Sequence, residues 1–218
     1  MTQKEQIARD LLGIGAVFLR PDNPFTWASG IKSPIYCDNR LILTAPEARS
    51  VVEDALAKLI TDKYPDVQVL MGTATAGIPH AAIAAHILNL PMGYVRSGSK
   101  DHGRGNRIEG RLEKGQRVVV VEDLISTGGS SIETVKALRD AGADVLGIAC
   151  LFTYNMQASR DALQAENIPC HSLTNFDILA QVAAEDGYIA QTDIDRLLRF
   201  RANPSDSSWM EVAKGCGI

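Results

Sequence analysis

The chain has 218 residues, 45% of them hydrophobic and 22% charged, which fits a folded globular chain and excludes disordered, collagen-like and coiled-coil readings. Its 22 Lys and Arg stand against 26 Asp and Glu, a net charge of -4, so no nucleic acid polymer is expected as a partner, because duplex binding rests on a basic face. Cys37, Cys150, Cys170 and Cys216 form no C-x-x-C pair and read as reduced thiols of a cytoplasmic protein. The N-terminus lacks the pattern of a signal peptide, and no apolar run approaches the ~20 residues that span a bilayer, so neither secretion nor membrane insertion is expected.

In chain order, residues 1-45 offer a helix at Lys4 to Leu12, a short strand at Val17 to Leu19, and a loop-rich stretch with Pro21, Pro24, Gly30 and Pro34. Such a stretch cannot bury itself and is expected to lie over the rest as an N-terminal hood. Residues 46-190 read as the core. Pro46 to Thr61 is helical; apolar strands follow at Val67 to Met71, Met92 to Val95, Val118 to Val121 and Val145 to Phe152, with helices at Ile78 to Leu88, Ser131 to Ala141 and Ala158 to Glu166. Nearly all-apolar strands alternating with helices predict an α/β fold, a mostly parallel sheet flanked by helices. Residues 191-218 read as a C-terminal helix and tail. Thr192 with Asp195 forms a capping-box pattern ahead of Ile194, Leu197 and Leu198. Trp209 and Met210 in the tail pack either on the body or on a second subunit.

The chemistry concentrates where Val118 to Val121 runs into Glu122-Asp123-Leu124-Ile125-Ser126-Thr127-Gly128-Gly129-Ser130 and then a helix. In an open α/β sheet, ligands bind at this carboxyl end of the strands. Hydroxyls, glycines and free N-H groups at a helix start suit a phosphate, by geometry and by the helix dipole. Two carboxylates would repel that phosphate, but they suit sugar hydroxyls or a Mg²⁺ shared by sugar and phosphate. Gly110 and Gly115 have Walker spacing, yet Gln116 stands where Lys is needed, so no P-loop is read there. Gly103-Arg104-Gly105 lacks the third glycine of a dinucleotide fingerprint, since position 108 is Ile108.

A second segment, Arg96 to Arg111, carries Arg96, Lys100, Arg104, Arg107 and Arg111 against Asp101 and Glu109, with four glycines. Cations and glycines concentrated in one loop of an acidic chain point to a polyanion. Gly72-Thr73-Ala74-Thr75-Ala76-Gly77-Ile78-Pro79 is another strand-to-helix turn of small residues suited to backbone anion binding. His80, His86 and His171 show no metal-ligand spacing and read as structural.

The strand, acid pair and Thr-Gly-Gly turn resemble the phosphoribosyl pyrophosphate motif of type I phosphoribosyltransferases. Pro24 to Asp38 and Tyr94 to Gly103 further resemble the orotate phosphoribosyltransferase family, in the form found in Gram-positive bacteria. The resemblance covers about residues 10 to 185. It implies a cytoplasmic enzyme of de novo pyrimidine (UMP) biosynthesis that uses Mg²⁺, phosphoribosyl pyrophosphate and orotate, as a homodimer whose loops exchange between subunits.

On this resemblance Arg96, Lys100 and His102 meet the pyrophosphate, and Lys100 stabilises the departing charge as the catalytic residue. Glu122, Asp123, Leu124, Ile125, Ser126, Thr127, Gly128, Gly129 and Ser130 bind phosphoribosyl pyrophosphate; Ser126, Tyr36 and Cys37 approach the base. No protein group is assigned as a direct metal ligand. The resemblance departs at Ala28, Ala76 and Ser97, where many members carry Lys, and around Phe152 to Tyr154, where they carry an Arg for the substrate carboxylate. Either other cations, with Lys32 and Arg40 nearby in sequence, replace them, or the base is not orotate. The alternatives are a phosphoribosyltransferase for another nucleobase and a noncatalytic regulator of the same fold.

Overall fold

A computed structural model describes residues 1-27, 30-98 and 107-211. The chain begins with α1 (Gln3–Gly13), capped by a Thr2/Glu5 capping box. Short strands follow: β1 (Val17–Leu19), β2 (Phe25–Thr26), β3 (Lys32–Ser33) and β4 (Ile35–Cys37), with β1 antiparallel to β4 and β2 antiparallel to β3. A 3-10 turn (Asn39–Thr44) leads into α2 (Pro46–Lys63). Then come β5 (Val69–Thr73), α3 (Gly77–Leu88), β6 (Met92–Val95), β7 (Ile108–Glu109), β8 (Arg117–Ile125), α4 (Gly129–Asp140) and β9 (Asp144–Thr153). The chain continues through α5 (Gln157–Ala165), β10 (Cys170–Asn175), α6 (Phe176–Glu185), α7 (Asp193–Ala202) and a 3-10 turn at Ser207–Met210.

Six strands form one sheet in the order β10-β9-β8-β5-β6-β7, parallel except where β7 runs against β6. The α/β expectation therefore holds, and strict alternation explains it. Along β8, Val119 and Val121 enter one apolar layer, while Val118 and Val120 enter the other. The first layer is completed by α1, α2, α3, α6 and α7, the second by α4 and α5. All four valines are fully buried, each contributing about 1.5–3 kcal/mol relative to exposure. On α3, Ala81, Ala84 and Ala85 keep the helix close to the sheet. It is locked to α2 by a buried bond between His80 Nδ1 and Glu53 Oε1, so His80 has a structural partner that the sequence left unnamed.

Two features differ from the elements read in the sequence. β10 and α6 lie within residues 46-190 but were not among those elements; β10 is an edge strand whose buried positions are Leu173 and Thr174. The Thr192/Asp195 capping box does not form. Thr192 already has helical dihedrals (φ -69°, ψ -17°), and its side chain caps nothing. Asp193, the first helical residue, instead braces the turn ahead of the helix, accepting from Ala190 N at 3.2 Å and from Arg196 Nη1 at 2.8 Å. Arg196 is itself buried and also donates to Asp22, to the Pro21 carbonyl and, at 3.4 Å each, to the Trp209 and Met210 carbonyls. Trp209 is 1% exposed and packs edge-on against Phe200 at 5.6 Å, so this tail residue lies on the body of its own chain.

Candidate active site

β8 leaves the core at Glu122, and three separate segments converge on that point. From α4, Ser131 Oγ donates to Glu122 Oε2 at 2.9 Å, with a longer contact from Ser130 Oγ at 3.5 Å. From the turn after β4, Asn39 Nδ2 donates to the Asp123 carbonyl at 2.7 Å, while Asn39 Oδ1 accepts from Cys37 Sγ at 3.2 Å. From the start of α3, Gly77 lies so close that an added Cβ would sit 2.4 Å from the Val121 carbonyl oxygen. Only glycine fits there, because the obstacle is backbone. Asn39 and Ser131 are site residues that the sequence reading did not select. Asn39 gave no signal beyond a turn-forming residue type, whereas Ser131 follows the motif directly at the start of the helix and could have been included.

Glu122 is 4% exposed. Burial, then the negative charge and hydrogen bonding of Asp123, push its pKa up to about 8, against the opposing bond from Ser131. The pair thus favours one proton near neutrality, as two adjacent carboxyls must when one is taken out of water. Among the described residues no ion pair neutralises Asp123, whose side chain is hydrogen-bonded to Glu122.

Gly128 caps α4 in the left-handed region (φ 86°), which turns the chain sharply from strand into helix. The N-H groups of Thr127 to Ser131 donate to no acceptor among the described residues, and the first helical bond runs from Ile132 N to Gly128 O. Thr127, Gly129 and Ser130 are exposed, so this curl of donors faces solvent. It is a phosphate-sized anion site by geometry and dipole together. Leu124 and Ile125 bound it from behind. Their side chains enter the apolar layers, and the Ile125 carbonyl accepts from Tyr154 N and Thr153 Oγ1.

Across β5, the 72-79 turn supplies a second set of donors. Ala74 N is committed to Val95 O, but the N-H groups of Thr75 and Ala76 have no acceptor among the described residues. Arg96 follows β6, donates to Glu109 Oε1 at 3.3 Å, and lines a 160 Å³ cleft with Thr73, Ala74, Arg107 and Ser130. Lys100 and His102 lie outside the described residues, as do Ala28 and Cys216. Tyr36 and Cys37 are neighbours on β4 and so leave it on opposite faces. Tyr36 is 44% exposed opposite Phe18, whereas the Cys37 thiol turns inward to Asn39, where burial raises its pKa. Ser126 is half-buried at the end of β8. A cavity of 620 Å³ between α1 and the start of α2 shares no residue with this end of the sheet.

An acid-ended apolar strand, a glycine-capped phosphate turn and a second anion-binding turn across the neighbouring strand define the phosphoribosyltransferase class of site. The sequence model of the phosphoribosyl transferase domain matches residues 40-184. A curated orotate phosphoribosyltransferase of Bacillus cytotoxicus is 55% identical over 207 residues, covering 95% of this chain and 99% of that one. The chain belongs to the phosphoribosyl transferase family, in its orotate phosphoribosyltransferase branch. Among solved structures, the orotate phosphoribosyltransferase of Aeropyrum pernix superposes with a TM-score of 0.73 at 31% identity, over 84% of this chain and 99% of that one. That of Mycobacterium tuberculosis in complex with 5-phospho-alpha-D-ribosyl 1-diphosphate gives 0.63 at 25% identity, over 82% and 99%.

Proposed function

We propose that the chain joins N1 of orotate to C1′ of phosphoribosyl pyrophosphate, releasing pyrophosphate and giving orotidine 5′-monophosphate for UMP synthesis. The observation that carries this reading is the convergence of two anion-binding turns on one carboxyl pair. A substrate with a phosphate at one end, a diphosphate at the other and vicinal hydroxyls between them matches that layout. The turn at Thr127 to Ser130 takes the 5′-phosphate, and Glu122 with Asp123 orients the ribose hydroxyls. The 72-79 turn and Arg96, joined by Lys100 and His102, take the pyrophosphate. Tyr36, Cys37 and Ser126 border the base, Cys37 through its backbone and Cβ, since its thiol is engaged by Asn39.

Breaking the C1′-oxygen bond develops positive charge on the ribose and negative charge on pyrophosphate. Preorganised donors aimed at the departing group stabilise that separation without reorganising at the moment of reaction, and holding both substrates in line removes much of the entropic barrier. Orotate N1 reacts as an anion, so no general base is required.

Mg²⁺ is part of this proposal. Among the described residues no group of three or more His, Cys, Asp or Glu could hold a metal. Glu122 has both oxygens engaged by protein donors. This donor set fits a Mg²⁺ that arrives on the substrate oxygens, with Glu122 and Asp123 acting on it through the ribose hydroxyls. When bound, the ion neutralises charge on the diphosphate. A homodimer that lends its 96-111 loop to the neighbouring site, in the cytoplasm, completes the reading. Among the described residues no helix is long and apolar enough to cross a membrane.

The test follows loss of orotate absorbance with phosphoribosyl pyrophosphate and Mg²⁺. Stoichiometric conversion to orotidine 5′-monophosphate and pyrophosphate is expected. Turnover with uracil or a purine but none with orotate would overturn the assignment of the base.

A further inference from the structure

Orotate differs from uracil by one carboxylate, so an enzyme that uses it needs a cation aimed at that group. Tyr154 closes the Phe152 to Tyr154 stretch where the resemblance implies an arginine. It is 4% exposed and packed among Trp27, Phe152 and Phe176, so no charge can be seated there. Arg96 and Arg107 line the cleft on the pyrophosphate side with Ser130, and the cations of the other segments are distinguished by what they already hold. Lys32 donates to Thr26 Oγ1 at 2.7 Å and lines a cavity with Pro204, Ser205 and Trp209, on the side of the C-terminal segment. Arg20 stacks on the Phe25 ring at 4.9 Å. Arg160 is spent on Asn155 and Gln157 at the start of its own helix.

Arg40 is placed differently. Its neighbour Asn39 is bonded to the Asp123 carbonyl, which anchors the first turn of the 3-10 segment directly on the acidic end of β8. Asp38 then fixes the guanidinium side-on, with Nε to Oδ1 at 2.6 Å and Nη2 to Oδ2 at 2.8 Å. Besides Asp38, the groups that act on the guanidinium electrostatically are Tyr36 and Asp123, one bordering the base and the other the ribose. A guanidinium has five N-H donors, and a side-on carboxylate uses only two of them. Its Nη1 donates to nothing among the described residues, and the Arg40 side chain is 67% exposed.

We propose that Arg40 is the specificity-determining residue that reads the orotate carboxylate: Asp38 holds one edge of the guanidinium, and the open Nη1/Nη2 end takes the substrate carboxylate in a bidentate pair. This rests on orotate being the base and assigns the missing charge partner within that site. The Asp38 brace matters because a guanidinium held by one carboxylate is already oriented when the second arrives, so little side-chain freedom is lost on binding. A lysine offers a point charge without the fork, so the two cations are not equivalent there.

The test compares full-length wild type with Arg40→Gln and Arg40→Lys, using orotate and, as a competitive inhibitor, orotamide, in which a neutral carboxamide replaces the carboxylate. Arg40→Gln should raise KM for orotate roughly 10- to 100-fold, the range for loss of a charge-assisted contact. KM for phosphoribosyl pyrophosphate should stay within about twofold and orotamide inhibition should be unchanged, while Arg40→Lys should recover part of the orotate loss. Equal losses for orotate and orotamide, or a matching rise in KM for phosphoribosyl pyrophosphate, would overturn the role of Arg40 while leaving the base assignment intact. Wild type that does not use orotate at all would overturn both.

Discussion

Replacing Glu122 by Gln probes the electrostatics of the strand end directly. The native carboxyl has its pKa pushed up to about 8 by burial and by Asp123, whereas in the unfolded chain it titrates near the ordinary glutamate value. Between those two values the folded state keeps a proton that the unfolded state has released, so stability from this group falls as pH rises. Its contribution is complete below the unfolded pKa and is lost progressively up to the folded one, with a slope of at most about 1.4 kcal/mol per pH unit. From about pH 5.5 to about pH 7.5 the expected loss is therefore about 2–3 kcal/mol. Glutamine keeps the size and an acceptor for Ser131 but does not titrate. Urea unfolding of metal-free wild type and Glu122→Gln at the two pH values isolates the effect, because every other titrating group away from this pair cancels in the difference. The stability difference should move by about 2–3 kcal/mol in favour of the variant at the higher pH. A difference constant to within about 0.5 kcal/mol would refute the raised pKa.

Gly77→Ala should cost about 1–3 kcal/mol in urea unfolding and weaken phosphoribosyl pyrophosphate binding in calorimetry, because a Cβ 2.4 Å from the Val121 carbonyl forces α3 and the 72-79 turn off the strand end; unchanged stability would mean that α3 shifts freely. Trp209→Ala should destabilise by about 3–5 kcal/mol, since the ring is fully buried against Phe200. A loss below about 1 kcal/mol would show that the tail is not part of the folded body. Lys100→Ala should lower kcat far more than it weakens phosphoribosyl pyrophosphate affinity; wild-type turnover in that variant would remove Lys100 from the chemistry.

The strand-turn-helix unit at the candidate site was legible because it is local. Four valines, two acids and a Thr-Gly-Gly turn follow one another directly, and each residue type is placed by its immediate neighbours. β10 escaped because an edge strand covered on one side needs little apolar sequence, and Cys170 to Asn175 offers only Leu173 as a large apolar residue. Thr192 and Asp195 misled for the opposite reason. The pattern is a local signal, but Arg196, tied to Asp22 and the Pro21 carbonyl far away in the chain, also holds the Asp193 carboxylate, and Thr192 lies in a helical turn where its side chain caps nothing. Trp209 could not be placed from sequence because its partner, Phe200, lies on an amphipathic helix whose buried face is set by tertiary packing.

What sequence could not supply is the rigidity of the acid pair. Asn39 reaches Asp123 across 84 residues of chain, and Gly77 abuts Val121 through backbone atoms alone; neither leaves a mark in local composition. Those contacts nevertheless decide how the motif works. A carboxyl pair on a free, solvated strand end would ionise fully, whereas here Glu122 is held buried beside Asp123, and that burial, reinforced by the neighbouring charge, is expressed as a retained proton on Glu122. The same pinning ties two segments together. Asn39 holds the Asp123 carbonyl of β8 and, one residue later, Arg40 is braced by Asp38, so a movement of either segment must work against a single short stretch of chain. The residues that identify the family are thus those of the strand and turn, while the proposed reading of the base by Tyr36 to Arg40 rests on a segment held to them by the single bond from Asn39 to Asp123.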